Sequence, residues 1–444
     1  MSQRVKLAIA CAASGLVAMV LVLVSPLRHI SGDTVPNRAG AVALRCAGTL
    51  DLARIEWIEK LERVGRVPYW GQVHDDAVYS VFGPAPALVG ALVMPALDEG
   101  DVIDDATMRR RERTASAALL ALSVALVILA AAARVSIATS VATGAVCACS
   151  FAGMATIGQG LWQASVALPL LAGALASLAW APRSNAARVI APALLVAAVL
   201  ARPAIAPLVA GLGLAWCVQR PTRNQWLIAS GLAITAAAPF VIWHLVALGT
   251  PLPTGQLAAN AHVSNEVFVL SRAQIGLGVG GLIASPARGL IWFAPIVILV
   301  VVIALRRGDG FARVVAGAIV LQVLVFGLFH MWWGGICFGP RFLAEAVWVG
   351  VWLGTRIELA PRWLAGVAVA ATVVVGQMGL WGWRAEQWET RRNPDIDQSA
   401  LWDFRDSPIP AILVEDADEQ LLAVDAIGTP RALECRDGRL RDVQ

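Results

Sequence analysis

The sequence predicts an all-α polytopic membrane protein of about eleven transmembrane helices, with one long external loop near its start that carries a juxtamembrane helix. Three observations lead there. The 444 residues are 58% hydrophobic and only 15% charged, against roughly 25% charged in a soluble domain; so few polar groups cannot cover a water-soluble globule of this size. Apolar runs near the roughly 20 residues that cross the hydrocarbon recur along the chain. The short connections between them are basic, and an eleven-span count puts all of those on one side, as positive-inside bias requires.

The runs are 7–27, 114–133, 137–157, 161–181, 188–202, 203–218, 226–247, 289–305, 313–331, 343–356 and 363–381. The basic start MSQRVK places the N-terminus in the cytoplasm and residues 28–113 outside. The runs 188–202 and 203–218 are short and meet at Arg202-Pro203. Proline disfavours helix at the residue before it, so they read either as a hairpin or as one kinked helix, and the second reading reverses every later side. Eleven spans put APRSNAAR (181–188), QRPTRNQ (219–225), RRGDGFAR (306–313) and RIELAPR (356–362) inside. The apolar stretch 78–97 contains Pro84, Pro86 and Pro95. It is expected as a helix on the outer leaflet, because counting it as a span turns all four basic loops outward; RRRER (109–113) then stays outside despite its charge. Residues 1–381 form the transmembrane domain. Loops 248–288 and 332–342 lie outside with 28–113, as does the polar tail 382–444, a small cap or partly ordered arm.

Several functions are excluded by what is missing. The net charge of +4 is small and dispersed, which gives no basis for nucleic-acid binding. The seven cysteines form no CxxC pair and no Cys/His ligand spacing, and most read as small apolar fillers. Cys46 and Cys435 both fall in external segments and are candidates for a disulfide. No Walker-type phosphate loop and no GxGxxG between strand and helix occurs. GLGVGG (276–281) lacks the lysine and reads as a flexible loop or close helix packing. ATP-driven transport is therefore not expected.

The polar residues that could do chemistry gather on the outer side. Asp33, in HISGDTVPNR (29–38), follows directly on the first span. A carboxylate on a glycine turn at the membrane surface can serve as general base or metal ligand; the plainer reading is a turn residue. Arg38 either snorkels or meets lipid phosphate. In SPARGLIWFAP (285–295), Arg288 is an interfacial anchor or a phosphate ligand, since a guanidinium fork matches two phosphate oxygens at once. HMWWGGICFGPRFLAEA (330–346) sets His330 and Arg341 around a glycine-rich turn, with Glu345 as the alternative partner of Arg341. Arg202 stands where the two short helices meet, facing phosphate or helix-end carbonyls.

One acid and several arginines on one surface suggest an enzyme with an anionic lipid donor. The chain resembles the GT-C class of polytopic glycosyltransferases, which includes the protein O-mannosyltransferases and the lipid A aminoarabinose transferases, and within it a bacterial branch. The pieces that match are SGDTVPNR, VYSVFGPAPALVGAL, ARP (201–203), SPARGLIWFAP, WWGGICFGPRF and LWDFRD (401–406), in the usual order over nearly the full chain. The resemblance implies a GT-C-like fold in the bacterial inner membrane, a polyprenyl-phosphate-linked sugar donor, and a glycan, lipid or protein acceptor on the extracytoplasmic face. It implies Asp33 as the catalytic acid; Arg38, Arg202, Arg288, His330 and Arg341, from their own settings, are the candidates for binding the donor phosphate or substrate. The class often places a second acid beside the first, but Thr34 stands there, so no cofactor is called for and a divalent metal, though compatible, is not indicated. Two rivals remain. A lipid-linked sugar transporter or flippase requires ionisable residues at mid-membrane, and these spans hold almost none, with His244 and Gln322 near span ends. A non-catalytic scaffold subunit explains the spans but not the ordered external motifs.

Overall fold

The computed structural model describes residues 1–26, 32–63, 65–251, 268–335, 337–359, 361–382, 388, 391–414 and 432–443. His29, the middle of the 248–288 loop and much of the tail lie outside the described residues. Each of the eleven apolar runs is helical over most of its length. Among the described residues six helices are long and apolar enough to cross a membrane by themselves: α1 (Gln3–Val24), α5 (Asp105–Ala131), α7 (Gln163–Trp180), α10 (Arg223–Leu248), α12 (Gly310–Gly327) and α14 (Arg362–Trp381). A seventh crossing is broken: α6 (Ile137–Cys149) runs into a π-helical turn, Phe151–Ile157, bent by 46°. The runs in α8 (Asn185–Ala201), α9 (Ala206–Val218), α11 (Pro295–Arg307) and α13 (Ala344–Leu353) are shorter.

The helices that leave the basic-loop end are capped by short polar side chains, Ser2, Ser136, Ser184, Thr222 and Asp309, each accepting from a first-turn backbone N–H, which satisfies donors the helix cannot. At Arg202-Pro203 the chain makes a hairpin. Trp216 Nε1 donates to Arg188 O at 2.7 Å, bringing the end of α9 back beside the start of α8. Gln219 meets Leu178 O at 3.2 Å and Gln225 meets Asn185 at 3.0 Å at that same end. Arg183 binds Ala133 O at 2.7 Å and Asp309 faces Arg356 at 3.9 Å. Leu208 meets Gln322 and Gly211 meets Ala318, so α9 runs antiparallel to α12 toward Asp309. The short basic loops thus lie at one end of the bundle and Asp33 at the other. GLGVGG is close packing: Gly278 lies against the Gly327 carbonyl and Gly281 against the Trp332 ring.

Beyond that second end sits a smaller unit with its own core, including Ala41, Leu52, Ile58, Trp70, Ile103 and Leu440. It contains α2 (Val35–Ala47), α3 (Glu56–Arg63), the hairpin β1 (Gly71–His74) and β2 (Ala77–Ser80), α4 (Ala85–Val93) and β3 (Val102–Asp104). The tail completes it: β4 (Ala432–Arg436) pairs antiparallel with β3 and with β5 (Arg439–Val443), and Cys46 and Cys435 form a disulfide. The expected helix over 78–97 is shorter than its apolar run: Ala77–Ser80 is strand, Gly83 takes a positive φ, and helix begins only at Ala85. RRRER is no loop but the second and third turns of α5, whose N-cap is Asp104.

Candidate active site

Asp33 is delivered to its place by a single 3₁₀ turn, Gly32–Thr34, that leads into α2. Pro36 lies in the first turn of that helix, where its missing N–H has no intrahelical partner to lose. Among the described residues the carboxylate is held from two sides. Arg341 Nη1 donates to Oδ2 at 2.6 Å, and the Tyr69 hydroxyl donates to Oδ1 at 2.5 Å. Although 48% of Tyr69 is exposed, its hydroxyl end is crowded; that burial, then the adjacent Asp33 charge, pushes the phenol well above its ordinary range, so it remains a donor.

Arg341 is itself fixed by its surroundings. Its guanidinium lies 5.1 Å from the Trp162 ring centre and 5.5 Å from that of Phe342, both attractive cation–π placements. Burial opposes its charge most strongly, but the Asp33 carboxylate, with smaller help from Cys337 and Tyr69, more than offsets it and holds the guanidinium above its ordinary range. Gly334 and Gly335 pass beside it with φ of +83° and +67°, a conformation open chiefly to glycine. A Cβ on Gly334 would stand 3.0 Å from Arg341 Cγ, so this glycine is needed for both its backbone angle and its lack of bulk.

Arg202 stands beside this pair. It donates to Glu345 at 2.6 Å and to the Arg341 carbonyl at 3.3 Å. Gln322 ties the same turn down, donating to Ala204 O at 3.0 Å and Phe342 O at 3.2 Å. Asp33, Arg202 and Arg341 share one open pocket with Phe82, Thr156, Trp162, Gln163 and Phe342, with an empty volume of about 540 Å³ including its mouth. Among the described residues its walls are mostly apolar or aromatic, with Thr156 and Gln163 as neutral polar groups, and its charges are one acid and two arginines.

The other expected ligands are elsewhere. Arg38 is buried and pairs with Glu112 at 2.8 Å and Asp105 at 3.4 Å; its position one helical turn into α2 points it toward α5 rather than toward lipid. Arg288 is fully buried and donates to the carbonyls of Trp333 at 2.7 Å, Ala287 at 2.8 Å and Gly335 at 3.1 Å. It braces the loop that carries Arg341. His330 does not line the pocket; its ring packs on Phe329. Glu345 pairs with Arg202, not Arg341. Three motifs form one support behind the pocket: Ser285 donates to Leu401 O at 2.6 Å, Trp332 meets Trp402 and Trp292 meets Phe404. Tyr69, Trp162 and Glu112 were not singled out by their sequence setting. Tyr69 had a faint signal, being one of only two tyrosines in the chain.

Among the described residues no group of three or more His, Cys, Asp or Glu side chains is placed to hold a metal ion. At Asp33 the position a cation would take is filled by the Arg341 guanidinium, so these residues do not suit one.

The fold and pocket describe a mostly helical, multi-pass membrane-type protein with an acid–arginine site at one end of its bundle. No family model matches the chain, and no curated protein matches it in sequence. Among solved structures, the Archaeoglobus fulgidus oligosaccharyltransferase in its apo form is similar, at 15% identity and a TM-score of 0.36, over 90% of this chain and 60% of that one. The chain therefore spans less than two thirds of that protein's length, and a likeness at this score carries no argument about function.

Proposed function

We propose that this protein is a glycosyltransferase of the bacterial inner membrane, moving a sugar from a polyprenyl-phosphate-linked donor to a glycan, lipid or protein acceptor on the extracytoplasmic face. The observation that carries the reading is the Asp33–Arg341 pair at 2.6 Å, in a pocket shared with Arg202 and walled by Trp162 and Phe342. A sugar on a lipid phosphate is already activated, so the pocket needs only a base, cations for the leaving phosphate and walls that exclude water. Asp33 accepts the proton of the acceptor hydroxyl as its oxygen attacks the anomeric carbon. Arg341, backed by Arg202, stabilises the charge that grows on the departing phosphate. One displacement of this kind inverts the anomeric centre. No step runs through a metal, because Arg341 supplies the positive charge beside the carboxylate. The Cys46–Cys435 disulfide in the unit next to the pocket supports an oxidising compartment on that side, and the basic loops at the other end support a cytoplasmic face there.

The test is sugar transfer from a polyprenyl-phosphate donor in membranes. Asp33→Asn keeps the side chain's size and removes the base. Transfer is expected to fall by about 10²–10⁴-fold, the usual contribution of general acid–base catalysis. Near-normal transfer by the folded variant would leave Asp33 as a turn residue and sink the assignment.

A further inference from the structure

Asp33 is the base of the proposed reaction and also, in the empty pocket, the partner of the arginine that reaction requires. We propose that the donor's phosphate and Asp33 compete for Arg341, so that seating the donor releases the carboxylate to receive the acceptor hydroxyl. This deepens the transferase reading and rests on it. Donor then binds first and acceptor second, because the Arg341 charge on Oδ2 holds Asp33 as a weak base, and only when the arginine has turned to the phosphate does the carboxylate take a hydroxyl proton readily.

The surroundings permit the exchange. Arg341 lies over the faces of Trp162 and Phe342. A ring face attracts a cation without dictating where its N–H groups point, so the guanidinium can turn while the rings hold it. On its other side, among the described residues, a Cβ on Gly335 would meet only Arg341 Nη2, at 3.7 Å, which leaves room for the guanidinium to turn. Among the described residues Arg341 Nε and Nη2 have no hydrogen-bond partner, while Nη1 holds Asp33. A bidentate phosphate contact satisfies more of this fork than one carboxylate oxygen does. Arg202 cannot make the same move as readily, since Glu345 and the Arg341 carbonyl already engage it. Asp33 keeps the Tyr69 hydroxyl on Oδ1, so its position survives the loss of the arginine.

Binding of undecaprenyl phosphate to the protein in nanodiscs, with uncharged undecaprenol as the control, tests the competition. Asp33→Asn removes the internal competitor, so it should bind undecaprenyl phosphate more tightly than the unaltered protein, between about 5- and 150-fold, the usual span of coupling between two sites. Arg341→Ala should bind it more weakly, and adding Asp33→Asn to Arg341→Ala should restore little. A carboxylate that merely repelled the phosphate through space would give the same gain in both backgrounds. Unchanged or weaker binding by Asp33→Asn, or an equal gain in both backgrounds, overturns the competition. If the unaltered protein binds undecaprenyl phosphate no better than undecaprenol, the phosphate reading falls and the competition with it. Should Asp33→Asn fail to fold, Tyr69→Phe serves instead. Without the tyrosine's bond, Asp33 leans more on Arg341, and undecaprenyl phosphate should bind more weakly; equal or tighter binding rejects the proposal.

Discussion

The pairs Arg38–Glu112 and Arg341–Asp33 join the same chemical groups at similar distances, 2.8 Å and 2.6 Å, and both lie at the same end of the bundle. Their surroundings differ. The side chains of Arg38 and Glu112 are 7% and 5% exposed, those of Arg341 and Asp33 17% and 19%. Glu112 spends its second oxygen on the Leu161 amide at 2.9 Å, and Arg38 also reaches Asp105, so that pair is closed on all sides and ties α2, α5 and the start of α7 together. Asp33 and Arg341 open onto a pocket, and the arginine keeps nitrogens to spare. A third pair, Arg202–Glu345, is intermediate: Glu345 is buried, with no hydrogen-bond partner for Oε2 among the described residues, yet Arg202 reaches the pocket. An ion pair at the end of a membrane bundle is therefore structural or functional according to what else its two members touch.

The largest effects should separate the two pairs cleanly. Asp33→Asn should remove about 10²–10⁴-fold of transfer with little change in thermal unfolding of the detergent-solubilised protein. Glu112→Gln should do the opposite. It leaves the buried Arg38 charge with only the longer contact to Asp105 at 3.4 Å, which costs up to about 3–5 kcal/mol, while transfer per folded molecule stays within a few-fold. If Glu112→Gln melts normally and loses transfer, the comparison is wrong and Arg38 belongs to the chemistry.

The same comparison shows what was legible in the sequence. Apolar length and proline position marked the eleven runs of the bundle, but not α2 and α3 of the outer unit, and left the Arg202-Pro203 junction open between two readings, because composition within a run decides whether it is helical. Asp33, Arg202 and Arg341 stood out because each is a lone charge at the edge of an apolar run. Their sorting from Arg38 and Arg288 was not legible. Arg38 is paired by a residue 74 positions away that looks like one more charge in RRRER, and Arg288 is satisfied by carbonyls 45 and 47 positions on. Nothing local marks such partners. The three-stranded sheet of the outer unit was hidden for a related reason: β3 has only three residues and finds its partner more than 300 residues later.

That long pairing gives the next prediction, a smaller one. Cys46 and Cys435 close a separation of 389 residues, fastening the tail strands to the outer unit rather than to the helical bundle. Replacing both with serine should destabilise the outer unit by about 2–4 kcal/mol, the usual worth of a disulfide. Limited proteolysis should then release the tail sooner, and reductant should do the same to the unaltered protein. Because the bundle core is separate, the transmembrane helices should stay protected. A tail that resists protease equally with and without the disulfide would show that β3–β4 pairing alone secures it.

The smallest effect expected is at Tyr69, and its shape matters more than its size. Tyr69→Phe keeps the ring that faces Gly32 and deletes one donor to Asp33. A hydrogen bond to a charged group contributes about 1.5–3 kcal/mol, but Asp33 keeps Arg341 and opens onto the pocket, where water can take up the freed lone pair, so transfer should fall only a few-fold. The pH dependence discriminates. Burial and the neighbouring carboxylate raise the phenol above its ordinary 10.0, which means the fold favours the protonated form. That contribution is fully present below the ordinary value and is lost only as pH rises through the raised one. Between pH 6 and pH 9 the tyrosine therefore stays protonated, and the ratio of unaltered to Tyr69→Phe activity contains no tyrosine ionisation. What changes across that window belongs to Asp33, which loses one stabilising donor and should hold its proton to a higher pH in the variant. The acidic limb of the pH–rate profile should move upward in Tyr69→Phe while the alkaline limb stays in place. A shift of the alkaline limb instead would make Tyr69 a proton donor in the reaction, and the Asp33 carboxylate would then no longer be the group that the pocket is built to hold.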